Sequence, residues 1–182
     1  KNLDLSMDDR SQAHVLMIFP VPGISSPDTP SLKVLNKILS GQGGMLFTQL
    51  RDRQGLAYSV TSLLWQSPEA GFLAFYIGTY PDRLQEAEQG FRKIALKLRE
   101  TELDPDEVHR AANMIYGEYH RGRQTISARA GEASSLLVQG LDLDYNLQMT
   151  SRVTRVSPDD IRKVAQEYID PEKSYILKVL PQ

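Results

Sequence analysis

The spacing of apolar residues changes at Pro81, and that change limits the class of fold open to this chain. Before it the pattern is strand-like. Residues 13–21 (AHVLMIFPV) form a continuous apolar run of strand length, the mark of a central strand covered on both faces. Residues 58–67 and 71–80 are two further strand candidates, joined by Pro68-Glu69-Ala70, and the short link predicts an antiparallel hairpin. In the second of these, Phe72, Ala74 and Tyr76 alternate with Leu73, Phe75 and Ile77. Both faces are therefore apolar: the strand is covered on both sides, or covered on one and open to a chamber on the other.

After Pro81 the period becomes 3.6. Leu84, Ala87, Phe91, Ile94, Ala95 and Leu98 make one stripe of an amphipathic helix over about 82–101. Asp104-Pro105 reads as the cap and first position of a second helix, carrying Val108, Ala111, Ala112, Ile115 and Tyr119. Residues 124–140, rich in small side chains, predict another helix ending at Gly140, and 144–153 a short one. Ser157-Pro158-Asp159-Asp160 is a strong helix start, and 175–180 a closing strand. Two helices also lie before the hairpin. One has Leu32, Leu35, Ile38 and Leu39, with Asp28 or Thr29 as cap and Pro30 in its first turn. The other spans 45–53. Between them, Gly41-Gln42-Gly43-Gly44 lacks the Lys-Ser/Thr of a phosphate-binding loop and does not follow a strand; it reads as one helix closing and another opening. Residues 1–12 are polar and read as a linker or frayed start, leaving 13–182 as a single domain. The order of elements predicts an α+β fold: a two-layer sandwich with a mainly antiparallel sheet and helices on one face.

The chain's 182 residues suit one domain with a sizeable core. Its net charge of −2 offers no general attraction to nucleic acid or an anionic membrane. No apolar run approaches the roughly 20 residues of a membrane span. The absence of cysteine excludes disulfides and thiolate metal sites. The start shows no basic–apolar–small signal pattern, and the composition does not identify a compartment.

The residues with most chemical promise are Gln49-Leu50-Arg51-Asp52-Arg53-Gln54-Gly55-Leu56-Ala57-Tyr58-Ser59. Gly55 reads as a helix stop, so the segment carries Arg51 in a helix's last turn and Tyr58 at the start of a strand. A fixed guanidinium beside a fixed phenol can grip a peptide carbonyl or steady an oxyanion. The plainer reading is that the arginine serves the helix dipole and the tyrosine packs with its hydroxyl in water. Arg53 is an alternative cation, pointed elsewhere by its spacing.

Leu50-Arg51 and Gly55-Leu56-Ala57-Tyr58, preceded by Gly43-Gly44-Met45-Leu46-Phe47, resemble the signature of the C-terminal half of pitrilysin/insulinase-type zinc metallopeptidases. The resemblance extends over nearly the whole chain, with the arginine–tyrosine spacing its most specific part. It implies a zinc-free, substrate-binding half that encloses peptides against a zinc-bearing half, on the same polypeptide or as a separate subunit. Arg51 would bind the substrate backbone; Tyr58 would donate in trans to the carbonyl oxygen as it becomes an oxyanion. The partners implied are that zinc-bearing half and a peptide substrate, with a homodimer as a further arrangement. A second function carried by the same resemblance is a catalytically silent assembly or scaffold subunit.

The family's inverted zinc motif, H-x-x-E-H, is absent. His14, His109 and His120 are the only histidines, and none begins that motif. His14 reads as a satisfied strand histidine. His109 and His120 return to nearly one helix face but stand roughly 16 Å apart along it, too far to share a metal. No intrinsic zinc site is expected, and zinc is expected in the partner half. Arg121, Arg123 and Arg129 form a modest basic patch, read as a solvated face.

Overall fold

The computed structural model describes residues 1–7 and 12–181. Five strands, β1 (Asn2–Met7), β2 (Ala13–Pro22), β3 (Ser59–Gln66), β4 (Ala70–Thr79) and β5 (Tyr175–Pro181), form one sheet in the order β1-β5-β2-β4-β3. Only the β1–β5 pair is parallel. Six α-helices among the described residues accompany it: α1 (Thr29–Leu39), α2 (Leu84–Glu100), α3 (Pro105–Gly122), α4 (Ile126–Val138), α5 (Tyr145–Val153) and α6 (Pro158–Tyr168). The fold is the α+β two-layer sandwich anticipated, with the helices on one face of the sheet.

The core lies between sheet and helices. In β2, Ala13, Val15, Met17, Phe19 and Val21 are buried while the residues between them are not. The register sets Val15, Met17 and Phe19 opposite Ile77, Phe75 and Leu73 of β4, and directly opposed residues share a face. Phe75 meets Phe19 and Phe91 edge-on, with ring centroids 5.1 and 5.6 Å apart. Among the described residues, no helix covers the opposite face. There Leu16, Ile18, Phe72, Tyr76, Leu63, Trp65, Leu177, Leu3 and Leu5 share register positions, and Leu3, Leu5, Leu63 and Trp65 are exposed. Strand β4 is thus covered on one side and open on the other.

Three local expectations are corrected. Residues 2–7, read as part of a linker, form an edge strand; residues 8–11 of that stretch lie outside those described. Strand β1 exists because its backbone pairs with β5, as Ile176 N–H donates to the Lys1 carbonyl at 2.9 Å. Its Leu3 and Leu5 face the helix-free side, so it lacks the buried stripe that marks a strand in sequence. Second, β2 runs one residue beyond the apolar run 13–21, carrying Pro20 within it and ending at Pro22. Strand β5 pairs only with His14–Ile18, so beyond Ile18 β2 is an edge, where a proline's missing N–H is tolerated. Third, Asp28 stands at the N-cap of α1 without bonding its backbone through the side chain. Its carboxylate instead accepts the Tyr168 hydroxyl at 2.7 Å, and burial together with this bond pushes the Tyr168 phenol up to about 12.

Candidate functional site

The corner between α1 and β3 is built from a widened helix. After a first turn at Met45-Leu46, Phe47–Asp52 is π-helical, a form that recurs at functional sites. Arg53 N–H donates to the Thr48 carbonyl, Gly55 N–H to that of Arg51 and Leu56 N–H to that of Leu50, at 3.2, 2.9 and 2.8 Å. The last two bonds span four and six residues. Each is one residue wider than the pair that closes an α-helix in the Schellman motif, as a π-helix requires. Gly55 sits at φ +61°, the left-handed backbone that makes the reversal.

Leu50 and Leu56, on either side of the reversal, are buried. A Cβ on Gly90 of α2 would lie 2.5 Å from Leu50 Cδ2, so Gly90 is the notch that seats Leu50. The outer side is tied down by residues that carried no sequence signal. The Arg83 guanidinium donates to the Gly55 carbonyl at 3.1 Å and to that of Gln54 at 3.4 Å, and is itself held by Glu86 at 2.8 Å. Thr79 Oγ1 donates to the Leu56 carbonyl at 2.6 Å, and Tyr58 N–H to that of Gly78 at 3.0 Å.

Arg51 and Tyr58 stand at the two ends of this braced corner. Arg51 is exposed in the last turn of the π-helix, with its guanidinium carbon 4.8 Å from the Phe47 ring centroid. That cation–π contact restrains the side chain while leaving its N–H donors open. Tyr58, one residue before β3, is 74% exposed, so it is no core tyrosine. Among the described residues, neither side chain is taken up by a protein hydrogen bond or an ion pair. Arg53 is exposed as well; the Phe47 stack is what sets Arg51 apart.

Of the other chemistry-bearing residues, His14 and His120 pack against aromatic rings. His14 Nδ1 lies 3.0 Å from the Tyr76 hydroxyl, with their rings stacked. His109 and His120 both lie exposed on α3, and His120 packs on Tyr116 and Tyr119. Arg123 pairs with Glu132 at 2.6 Å and Arg129 donates to the Arg123 carbonyl at 2.9 Å, so much of the basic patch binds α3 to α4. Among the described residues, no group of three or more histidine, aspartate or glutamate side chains is placed to hold a metal ion. None of their helices is long and apolar enough to cross a membrane.

The fold is an α+β two-layer domain that presents, at one helix-to-strand reversal, a guanidinium and a phenol without protein partners among the described residues. The chain belongs to the peptidase M16 inactive-domain family, whose model matches residues 3–115. It is 29% identical over 164 residues to an uncharacterized zinc protease of Streptomyces coelicolor, covering 87% of this chain and 35% of that protein. Its fold matches a protease from Helicobacter pylori with a TM-score of 0.88 at 22% identity, over 99% of this chain and 44% of the other. It also matches the crystallised inactive peptidase domain of a Bordetella parapertussis protein, with a TM-score of 0.80 at 19% identity over 94% and 93%. The chain spans about a third of the length of the curated relatives it matches first.

Proposed function

We propose that this chain is the substrate-gripping half of a zinc metallopeptidase, working against a zinc-bearing half that supplies the metal. Arg51 hydrogen-bonds the peptide backbone near the scissile bond, and Tyr58 donates to the carbonyl oxygen as negative charge develops there. One observation carries the reading. Two strong donors are left unspent and exposed, yet their backbone is held by a π-helix, a left-handed glycine and three side-chain or strand ties. Donors fixed in place before the reaction stabilise developing charge without the cost of reorganising. The exposed apolar residues of the helix-free sheet face supply a wall along which an unfolded peptide can lie.

The test is reconstitution with the zinc-bearing half. Tyr58→Phe is expected to lower kcat by about 10²–10³, the typical cost of one oxyanion donor. Arg51→Ala is expected to raise KM and lower kcat, with unchanged circular dichroism and melting for both variants. Full turnover in both variants would remove the assigned roles and turn the reading to the catalytically silent assembly subunit.

A further inference from the structure

The helix-free face of the sheet is apolar at one end and polar at the other. At the far end of β3, Trp65 opposes Phe72. At the end nearest Tyr58, Ser59, Gly78 and His14 lie side by side across β3, β4 and β2. The Tyr76 hydroxyl, two residues back along β4, lies 3.0 Å from His14 Nδ1. Among the described strand residues, no aspartate, glutamate, lysine or arginine occupies a register position on this face. The polar end is therefore an island without a fixed charge, set in an apolar wall.

Gly78 is the centre of that island. A Cβ there would lie 3.0 Å from Ser59 Oγ, 3.5 Å from Gln12 Oε1 and 3.5 Å from His14 Nδ1. Three polar atoms from three segments thus converge over one backbone carbon. A glycine inside a strand marks a bulge, a bend or the close approach of another group. No bulge is present, because the pairing of β4 with β2 runs through Gly78 to Thr79 without a break. Nor is Gly78 among the glycines with positive φ. What its missing side chain leaves is room between the three polar atoms. Gln12, His14, Ser59 and Tyr76 are half-buried. Among the described residues, the Ser59 hydroxyl and the Gln12 carboxamide are not taken up by a protein hydrogen bond.

We propose that this hollow is a specificity subsite for an uncharged hydrogen-bonding side chain of the peptide, the carboxamide of a glutamine or asparagine. A carboxamide both donates and accepts, and so do the Ser59 hydroxyl and the Gln12 amide that would meet it. A carboxylate or an ammonium would find no fixed counter-charge on this face, and a half-buried charge without one is unfavourable. The proposal rests on the peptide-binding reading of Arg51 and Tyr58 and narrows it to a class of substrate. The subsite adjoins the corner: the carbonyl that accepts the Tyr58 N–H at 3.0 Å is that of Gly78.

The full chain, without metal or partner, is titrated with a short peptide of valine and leucine, capped at both ends, whose central residue is glutamine, leucine or glutamate. Nitrogen–proton NMR spectra locate the contact and give the affinity. The glutamine peptide is expected to shift the Ser59 and Gly78 amides and to bind about three- to tenfold tighter than the leucine peptide, the worth of one added hydrogen bond. It is also expected to bind tighter than the glutamate peptide. Gly78→Ala puts a methyl where the three polar atoms meet; it should erase the preference and leave the affinity for the leucine peptide unchanged. Ser59→Ala should reduce the preference, and it carries the test if Gly78→Ala does not fold. Arg51→Ala and Tyr58→Phe should keep it. Equal binding of the glutamine and leucine peptides would overturn the subsite, as would tightest binding of the glutamate peptide or no shift at Ser59 and Gly78. So would a preference undiminished in whichever of Gly78→Ala and Ser59→Ala fold. The subsite is read by binding to this chain alone and the roles of Arg51 and Tyr58 by turnover, so failure of one is told apart from failure of the other.

Discussion

At the corner between helix and strand, single residues decide whether Arg51 and Tyr58 are presented or lost. Gly55 holds φ +61°, a conformation that costs other residues about 1–2 kcal/mol. Gly55→Ala is therefore expected to destabilise the fold by about that amount, read as a shift in the urea midpoint at constant m-value. Arg83 has a different part. Its guanidinium holds the Gln54 and Gly55 carbonyls from outside, so Arg83→Ala should leave global stability nearly unchanged while loosening the corner. Faster amide exchange at Gly55 and Tyr58, with unchanged exchange in β2 and β4, is the expected result. Unchanged protection at the corner would show that the bonds to Gly78 and Thr79 hold it alone. Arg51, Tyr58 and the Gly55 stop were legible in the sequence, since helix stop and strand start are local signals. Arg83 was not, because nothing around Pro81-Asp82-Arg83 marks an arginine that reaches back 28 residues.

Among the elements, α6 shows how far a local signal carries. Ser157-Pro158-Asp159-Asp160 forms the capping box its spacing suggests. Asp160 Oδ2 accepts from Ser157 N–H and Oγ–H at 3.0 and 2.7 Å, and Asp160 N–H donates to Ser157 Oγ at 3.2 Å. Ser157→Ala should cost about 0.5–2 kcal/mol. The hydroxyl and backbone of Ser157 hold the Asp160 carboxyl below the usual aspartate range. A carboxyl depressed in the folded state contributes stability above its unfolded value near 3.9, and loses it as pH falls through that value towards the folded one. The acid limb of stability should therefore be shallower in Ser157→Ala, and an unaltered limb would place the acid sensitivity elsewhere. The helix at 45–53 was legible as a helix but not as a π-helix. Widening depends on how Leu50 seats at Gly90 and how the strand beyond is tied, and both contacts are distant in sequence.

For the whole molecule, an ion pair joins α2 to the C-terminal strand β5. Glu88 lies 2.8 Å from Lys178 of β5 and 3.3 Å from Arg92, with the Glu88 and Lys178 side chains 18% and 19% exposed. Burial works to raise the Glu88 carboxyl, but Lys178 and Arg92 outweigh it and leave it below the usual glutamate range. Glu88→Gln strands Lys178 without its counter-charge and should cost about 1–2 kcal/mol, less than a fully buried pair because water still screens it. Adding Lys178→Met should recover part of that loss; a double variant no more stable than the single one would show that the ion pair is not what matters there.

The sequence by itself determined most of the elements, the class of fold, the absence of the H-x-x-E-H motif and the two residues at the corner. Those depend on apolar period, caps and glycines within a few residues of one another. Only the tertiary structure decided that residues 2–7 enter the sheet and that the corner helix widens and is braced by Arg83 and Thr79. Each of these is a balance of contacts between segments far apart along the chain, and no short window of sequence contains both sides of it.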